Sequence, residues 1–523
     1  MANTKKLATL SLVSLFAMGT VLTACSTKEA TPSPSASSSS VPQASASATA
    51  AANTGIDTSK EVKLKTVLLG SKPKAFDEVY GEVNKLMKQK INATLDISFL
   101  DWGEYQQKYP LMFAANEDFD LVFSATWSYY AQQATKNGFM PLTEDLIKKF
   151  APKTWAEEPK VAWEQAKING KIYMIPQNNF EYSYHMIGIR GDLRQKYNLP
   201  ELKTYDDYVN YLKVISEKEK DFKPSIGVSE FNSVELIQPN EWNFVVPQLP
   251  IVYKVTEATG KLFSYVDTPE FATFSKKMFD TQKTGAWSRD AIANKVDKTQ
   301  AFKDGKLASV EWNLGTLLRT KSEMQTTHPD WKVELYDLSA DKKRLSNPFI
   351  NNGMSIHAGS KNYERALMAI DLLRYDPEIH DLTNYGIKGK HYEPVGKDQF
   401  KPLPASADFP PSGTDPWGWN SLNERLDSTV AEETIKFTEN WKKTVTVNHP
   451  LETFTFDDTK VKNEVAAVSN VMETYGKPLF YGLVDPSDAG HGLQIFKDKL
   501  KQAGIDKIVA EMQSQADPVI AKK

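Results

Sequence analysis

The sequence has one cysteine in 523 residues, Cys25. Nothing after position 25 can form a disulfide or a thiolate metal site, so burial must hold the folded part together. A chain of this length can supply that burial. The seven histidines, His185, His328, His357, His380, His391, His449 and His491, show no H-E-x-x-H or comparable metal spacing. A P-loop, a G-x-G-x-x-G turn after a strand and a G-x-S-x-G elbow are all missing, and Gly490-His491-Gly492 lacks the third glycine of such a loop. No metal and no cofactor is therefore expected. An excess of one charge is lacking as well. Without Lys5 and Lys6, 61 basic residues face 66 acidic ones, a net charge of −5. That balance argues against nucleic acid or a polyanionic surface as partner. After residue 21 no apolar run reaches the roughly 20 residues that a bilayer crossing needs.

What is present begins at the N-terminus. Lys5 and Lys6 precede an apolar run, Leu7 to Val21, relieved only by Thr, Ser and Gly. A short basic region, a brief apolar core and small residues at its end describe a secretory signal. The end itself, Leu22-Thr23-Ala24-Cys25, resembles the lipobox of bacterial lipoproteins, in which the cysteine thiol receives a diacylglyceryl group and becomes the first mature residue. Residues 1–24 are then a lipoprotein signal peptide, and Cys25 is the lipidation site. An uncleaved anchor with an incidental cysteine is the alternative. Two or more acyl chains, at ~0.8 kcal/mol per buried methylene, hold a protein stably at a membrane surface. The expected location is the extracytoplasmic face of the cell membrane.

Residues 25–58 are almost entirely Ala, Ser, Thr and Pro. Such a segment cannot bury enough surface to offset its ordering entropy, so it reads as a disordered tether. From Ser59 to Lys523 the chain has 465 residues, enough for two large domains or about three smaller ones.

Along that part, Val62 to Leu69, Ala93 to Leu100 and Asp120 to Phe123 read as strands. Helical spacing from Phe76 to Lys90, and a helix through Tyr105 and Met112 bent at Pro110, separate them. This alternation is the pattern of a parallel sheet with right-handed crossovers. Strands are further expected at Lys171 to Ile175, His185 to Arg190, Lys306 to Trp312, Lys332 to Leu338 and Ile350 to His357. Helices are expected at Pro141 to Phe150, after the cap Thr204, at Tyr363 to Tyr375, at Ser421 to Lys443 and at Gly492 to Gln515. Asp221 to Val296 gives mainly aromatic-rich helices, and Tyr392 to Asn420, rich in Pro, Gly and Trp, reads as loop.

For catalysis the best reading is a glycosidase with two carboxylates, Glu311 beside Trp312 being one candidate. Among 66 acidic residues such coincidences are common.

Lys171-Ile172-Tyr173-Met174-Ile175-Pro176 with Arg190-Gly191-Asp192-Leu193, and later Phe302 to Val310, resemble family 1 extracellular solute-binding proteins, the carbohydrate receptors of ABC importers. Asn351-Asn352-Gly353-Met354-Ser355-Ile356 and the following helix are similar to that family's late crossing between lobes. The whole chain after the tether most resembles the LipO/LplA-type lipoproteins of Gram-positive bacteria. Those carry a C-terminal domain of unknown function, here about Thr383 to Lys523. The resemblance implies an α/β fold of the periplasmic-binding-protein type (type II), two lobes with a ligand cleft between them. Lobe 1 would comprise 59–186 plus about 346–395. Lobe 2 with the C-terminal region would comprise 187–345 plus about 396–523, with Ile187 to Arg190 and Ile350 to Ile356 as crossings.

Ligands of open α/β sheets sit at the carboxyl ends of strands. On the implied fold this selects Trp102, Trp127, Asn178, Asn179, Trp312, Asn351 and Asn352. Tyr184, with Glu181 and His185, and the loop pair Trp417 and Trp419 are added as cleft candidates. Arg190 is read as structural. Aromatic faces suit the C–H side of a sugar ring, and amides suit its hydroxyls. Against this stands the ordinary reading that one Trp among 11, or one Tyr among 21, is core. The resemblance implies a non-enzymatic receptor, expected to be monomeric, that captures an oligosaccharide and delivers it to the permease subunits of an ABC importer. The alternatives are a surface glycoside hydrolase and an adhesion or scaffold lipoprotein.

Overall fold

The computed structural model describes residues 56–522 except 183, 228–232, 247, 294–295, 412, 415 and 447–449. Cys25, the signal segment and the tether up to residue 55 lie outside the described residues. From Asp57 on, the chain forms one compact unit. Among the described residues no helix is long and apolar enough to cross a membrane.

The strand Val62–Leu69 starts with alternate burial and ends fully buried, the pattern of a strand covered on both faces in its far half. Helix Phe76–Ile91 packs on it through Phe76, Val79, Tyr80, Val83 and Met87, a spacing of three and four that puts all five on one face. Asp77 and Glu78 in its first turn and Lys88 and Lys90 in its last complement the helix dipole, and Asn92 closes it in the left-handed conformation. Ala93–Leu100 then pairs in parallel with the first strand, Val62 opposite Ala93 through Leu69 opposite Leu100. Leu121–Ser124 joins the other side in parallel. Gly353–Ile356 and Ile175–Pro176 extend the sheet antiparallel, giving five strands in lobe 1.

Lobe 2 has two three-stranded antiparallel sheets. One orders Ser309–Asn313, His185–Arg190 and Val333–Tyr336; the other orders Phe263–Ser264, Ile251–Lys254 and Trp242–Phe244. The second lies where the sequence suggested helices. Its strands are two to four residues long, too short for a period of two to stand out. Helix Tyr205–Lys218 opens at the expected cap Thr204, which forms a reciprocal capping box with Asp207.

The last quarter of the chain differs most from expectation. Tyr392 to Asn420, expected as loop, includes the strands Tyr392–Val395 and Gln399–Pro402, which Leu426–Asp427 joins in a small sheet over Tyr385, Tyr392 and Phe400. Pro394 and Pro402 hide these strands from a propensity reading. The described residues of 404–419 pack on lobe 1, not lobe 2. The Ala75 amide donates to the Asp408 carbonyl at 2.9 Å, and the Tyr80 hydroxyl bonds Thr414 at 3.2 Å. The helix expected from Ser421 begins at Ala431. The last helix is two, Leu493–Ala503 and Ile505–Ile520, split by Gly504 at φ +92°. From Leu451 onward the chain shares one core with lobe 2, Phe480 and Phe496 packing on Phe271.

Among the described residues the chain passes between lobes after Pro176, after Tyr336 and after Asp427, whose carboxylate accepts from Ser322 of lobe 2 at 2.6 Å. Ile187 to Arg190 and most of Ile350 to Ile356, expected as crossings, are instead strands within the lobe sheets. Their apolar runs reflect burial inside a lobe, while the crossings themselves are polar.

Candidate functional site

Three strands of lobe 1 end side by side, and each is followed by a turn. After the first comes Gly70, whose φ of +98° no side chain adopts easily and beside which the Trp102 indole packs. After the second, Asp101 holds the turn: its carboxylate accepts from the Gly103 amide at 2.9 Å and from the Ser71 hydroxyl at 2.9 Å. That turn presents Trp102, which is 42% exposed. After the third strand comes Trp127. Trp102 lies 6.1 Å from Trp127 and 6.1 Å from Trp417, with rings inclined by 34° and 32°. Tyr105 meets both Trp102 and Trp127 edge-on. Three tryptophans from distant parts of the sequence thus share one surface.

Beside them the crossings meet at one carboxylate. Oε2 of Glu181 accepts from the side-chain amides of Asn351 at 2.8 Å, Asn352 at 3.2 Å, Gln177 at 3.3 Å and Asn347 at 3.4 Å. Asn352 also donates to Gln177 Oε1 at 3.0 Å and accepts from the Trp127 indole at 3.2 Å. The first two crossings are therefore tied to each other and to the aromatic surface. Asn178 donates to the Tyr375 hydroxyl at 2.6 Å. The side-chain oxygens of Asn178 and Asn179 are buried without a partner among the described residues. Behind them Arg374 reaches the Pro176 carbonyl at 2.6 Å and Glu158 at 2.8 Å.

Glu424 lies on lobe 1 just ahead of the third crossing, 3.5 Å from His380. It accepts from the Ser421 amide at 2.7 Å, while its Oε2 is shut from solvent without a partner among the described residues. Burial pushes its carboxyl up to about 8. The folded state thus favours the neutral acid. Stability from this group is complete below the ordinary value of 4.5 and is lost as pH rises through about 8. Glu424→Gln, neutral at every pH, is expected to gain on the native protein between pH 5 and pH 9 by on the order of 1–3 kcal/mol, allowing for a side chain that is one quarter exposed. Urea unfolding at the two pH values measures this; equal differences at both would contradict it.

Lobe 2 brings the opposite wall. His185 starts its strand facing Asn313 at the end of the neighbouring one. The Gln238 side chain fixes His185 like an added strand, accepting from its amide at 2.8 Å and donating to its carbonyl at 3.0 Å. His185 Nδ1 lies 3.2 Å from buried Glu311. Trp312 packs against His185 at 5.7 Å and beneath the Lys298 ammonium at 3.9 Å. Desolvation there lowers the Lys298 amine to about 8, against the pull of Glu311 and Asp297.

Between these walls lies a cavity of about 610 Å³, within the range of small-molecule sites. Tyr105, Trp127 and Tyr129 line it from lobe 1, and His185, Trp242 and Phe244 from lobe 2. Residues 343–348 with 350 and 351, and residues 451 and 452 with 454–458, complete it. Of the residues selected from sequence, Trp127, Tyr184, His185 and Asn351 border this cavity. Trp102, Trp417, Asn352 and Asn179 stand beside those residues without lining it. Asn178 is buried behind them, and Trp312 sits next to the lining His185. Tyr184 also serves the interior, its ring packed on Trp441 and its hydroxyl donating to the Leu345 carbonyl. Trp419 faces away. It is 1% exposed and bonds Thr383 at 3.1 Å, inside lobe 1. One residue separates it from Trp417, and a 3-10 turn at Pro416–Trp419 turns the two rings to different sides.

Sequence reasoning missed Tyr105, Tyr129, Trp242, Phe244, Phe454 and Phe456. The alternation Trp242-Asn243-Phe244 was the available signal for one pair. Tyr129 carried none: its left-handed φ of 58° is a tertiary outcome. Among the described residues no three metal-ligating side chains converge.

Residues 450–520 match DUF3502, a domain of unknown function. A carbohydrate ABC transporter substrate-binding protein of Streptococcus pneumoniae serotype 4 (strain ATCC BAA-334 / TIGR4) is 26% identical over 482 residues, spanning 89% of this chain and 93% of its own. The architecture is shared with solved structures of solute-binding proteins. The N-glycan transport solute binding protein NgtS of Streptococcus pneumoniae, in complex with Man5GlcNAc, superposes with a TM-score of 0.70 at 23% identity, covering 89% of this chain and 99% of its own. The S. pneumoniae ABC-transporter substrate binding protein FusA, an EF-hand mutant in complex with fructo-nystose, reaches 0.62 at 17% identity over 89% and 100%. The fold is that of the type II solute-binding proteins, two α/β lobes about a cleft.

Proposed function

We propose that this chain, similar along most of its length to carbohydrate substrate-binding proteins of ABC importers and folded as they are, is a membrane-tethered receptor that captures an oligosaccharide between its lobes and presents it to a permease. The observation that carries this reading is the cavity of about 610 Å³ walled by both lobes and rich in aromatic and amide side chains. Aromatic rings cover the apolar face of a sugar ring, and amides satisfy its hydroxyls in a partly dry site. The relatives named above are binding proteins, and the reading without catalysis goes with them.

Capture follows from the crossings. A rotation at a few residues between packed lobes closes a cleft without deforming either core. Glu181 and its four amides sit where that rotation would occur. Ligand stabilises the closed form only by the difference in its affinity for the two forms. The tether and the lipid on Cys25 supply the attachment to the extracytoplasmic membrane face, supported by the lipobox and by the composition of residues 26–58.

Thermal unfolding of the purified protein against a panel of oligosaccharides tests the reading. A neutral oligosaccharide is expected to raise the midpoint, and the same sugar should be recovered intact afterwards. Recovery of cleaved sugar would favour the hydrolase. A panel without any shift would favour the scaffold reading.

A further inference from the structure

A second cavity, of about 410 Å³, adjoins the first. Ala131, Thr135 and the segment Phe454 to Asp457 border both, so the two are immediate neighbours. One wall of the second is the lobe 1 hairpin Lys167-Ile168-Asn169, whose tip Asn169-Gly170 takes the two positive φ angles of a tight turn. The other wall is Thr453 to Asp457 with Gln515 and Val519. This second wall lies entirely within residues 450–520, the DUF3502 match.

That wall is built, not merely draped. Gln515 accepts from the Asp457 amide at 3.0 Å and donates to the Asp457 carbonyl at 2.9 Å, fixing the backbone of the segment to helix Ile505–Ile520. The helix is anchored in turn in the lobe 2 core through Ile508, Met512 and Ala516. The charged groups on the cavity are already engaged. Lys167 pairs with Glu164 at 2.6 Å, Lys460 pairs with Glu511 at 2.9 Å, and the Asp457 carboxylate accepts from the Thr459 amide at 3.0 Å. What remains for a ligand is hydroxyl and amide groups around Phe454 and Phe456, which suits an uncharged polyhydroxylated molecule.

Resting on the carbohydrate-binding reading of the main cleft, we infer that the segment 450–520 builds a second subsite, which receives the far residues of a neutral long or branched oligosaccharide whose near residues fill the main cavity. The C-terminal region is then part of the receptor's size selection. Because its two walls come from lobe 1 and from the layer on lobe 2, the subsite also spans the gap that closure would narrow.

Calorimetric titration of the purified protein with neutral oligosaccharides of rising length and branching tests this. Affinity is expected to rise about tenfold or more from the shortest binder to the longest. Thr453→Trp and Lys167→Trp, which fill the second cavity from opposite walls, are each expected to abolish that rise while changing affinity for the shortest binder less than about twofold. A flat series for the native protein, or a full rise in both folded variants, overturns the subsite while leaving the main cleft standing. Equal weakening of every sugar by both variants does the same. A greater gain for an anionic sugar than for a neutral one of equal length overturns the assignment to uncharged ligands. Absence of binding by every sugar overturns the reading of the cleft itself and the subsite with it.

Discussion

Arg374→Met is expected to destabilise the fold by about 3–5 kcal/mol at pH 8, the usual consequence of removing one partner from a buried ion pair. Arg374 is wholly buried near the C-terminal end of helix Tyr363–Tyr375. It donates to Glu158 at 2.8 Å and to the Pro176 carbonyl at 2.6 Å, at the residue where the chain leaves the lobe 1 sheet. Methionine fills much of the volume but bonds neither oxygen. The loss should depend on pH. Burial already pushes the Glu158 carboxyl up to about 8 even beside Arg374. Without the cation that value climbs further, so Glu158 stays protonated. The native protein bears the same cost of holding Glu158 neutral up to about 8, where its carboxyl ionises beside Arg374, whereas in the variant that cost keeps growing by about 1.4 kcal/mol per pH unit. The deficit at pH 6 should be smaller than at pH 8. Adding Glu158→Gln to Arg374→Met should recover part of it, because no charge is then left unpaired. Urea unfolding of the native protein and the two variants at both pH values measures this. A single-variant loss below about 1 kcal/mol at pH 8 would show that the pair is not what holds the first crossing.

Trp127→Ala is expected to weaken oligosaccharide binding by about 1–3 kcal/mol, or roughly 5- to 150-fold, with a small loss of stability. Trp127 is half-buried, lines the main cavity and adjoins Trp102. Its indole N–H is held by Asn352, which Gln177 and Glu181 hold in turn. A ring fixed in this way gives up little entropy on binding, which is the property of an anchor. Trp419→Ala supplies the contrast. That ring is 1% exposed, and its loss should cost about 3–5 kcal/mol of stability, with affinity retained in the folded fraction. Calorimetry and denaturant unfolding on both variants separate the two roles. Normal affinity in folded Trp127→Ala would make that ring a packing residue.

Several features needed only the order of residues. The first three lobe 1 strands and the helices between them follow from hydrophobic period, because each buries one regular face whatever its partner. Strands Val62–Leu69, Ala93–Leu100 and His185–Arg190 and helix Tyr363–Tyr375 begin and end where the sequence sets them. The Thr204 cap is likewise local: its hydroxyl meets the amide three residues on. Strand ends carrying Trp102 and Trp127 are legible for the same reason.

Other features were set by partners far along the chain. The short strands around Trp242 and Tyr392 are stabilised by neighbours in their sheets, and two to four residues carry too little pattern to announce them. The described residues of 404–419 lie on lobe 1 because Tyr80 and Ala75 meet Thr414 and Asp408 there, more than 300 positions apart. Trp417 and Trp419 look alike in sequence, and a single turn sends one to the tryptophan surface and the other into the core. Glu181 gathers four amides only when two crossings are brought together. The sequence by itself determined the strand–helix framework, the absence of disulfides and the placing of aromatics at strand ends, since these depend on local periodicity and residue type. Only the tertiary structure decided which polar groups share a carboxylate, which tryptophan faces the cavity and that the C-terminal segment walls it, since each depends on contacts that no local pattern encodes.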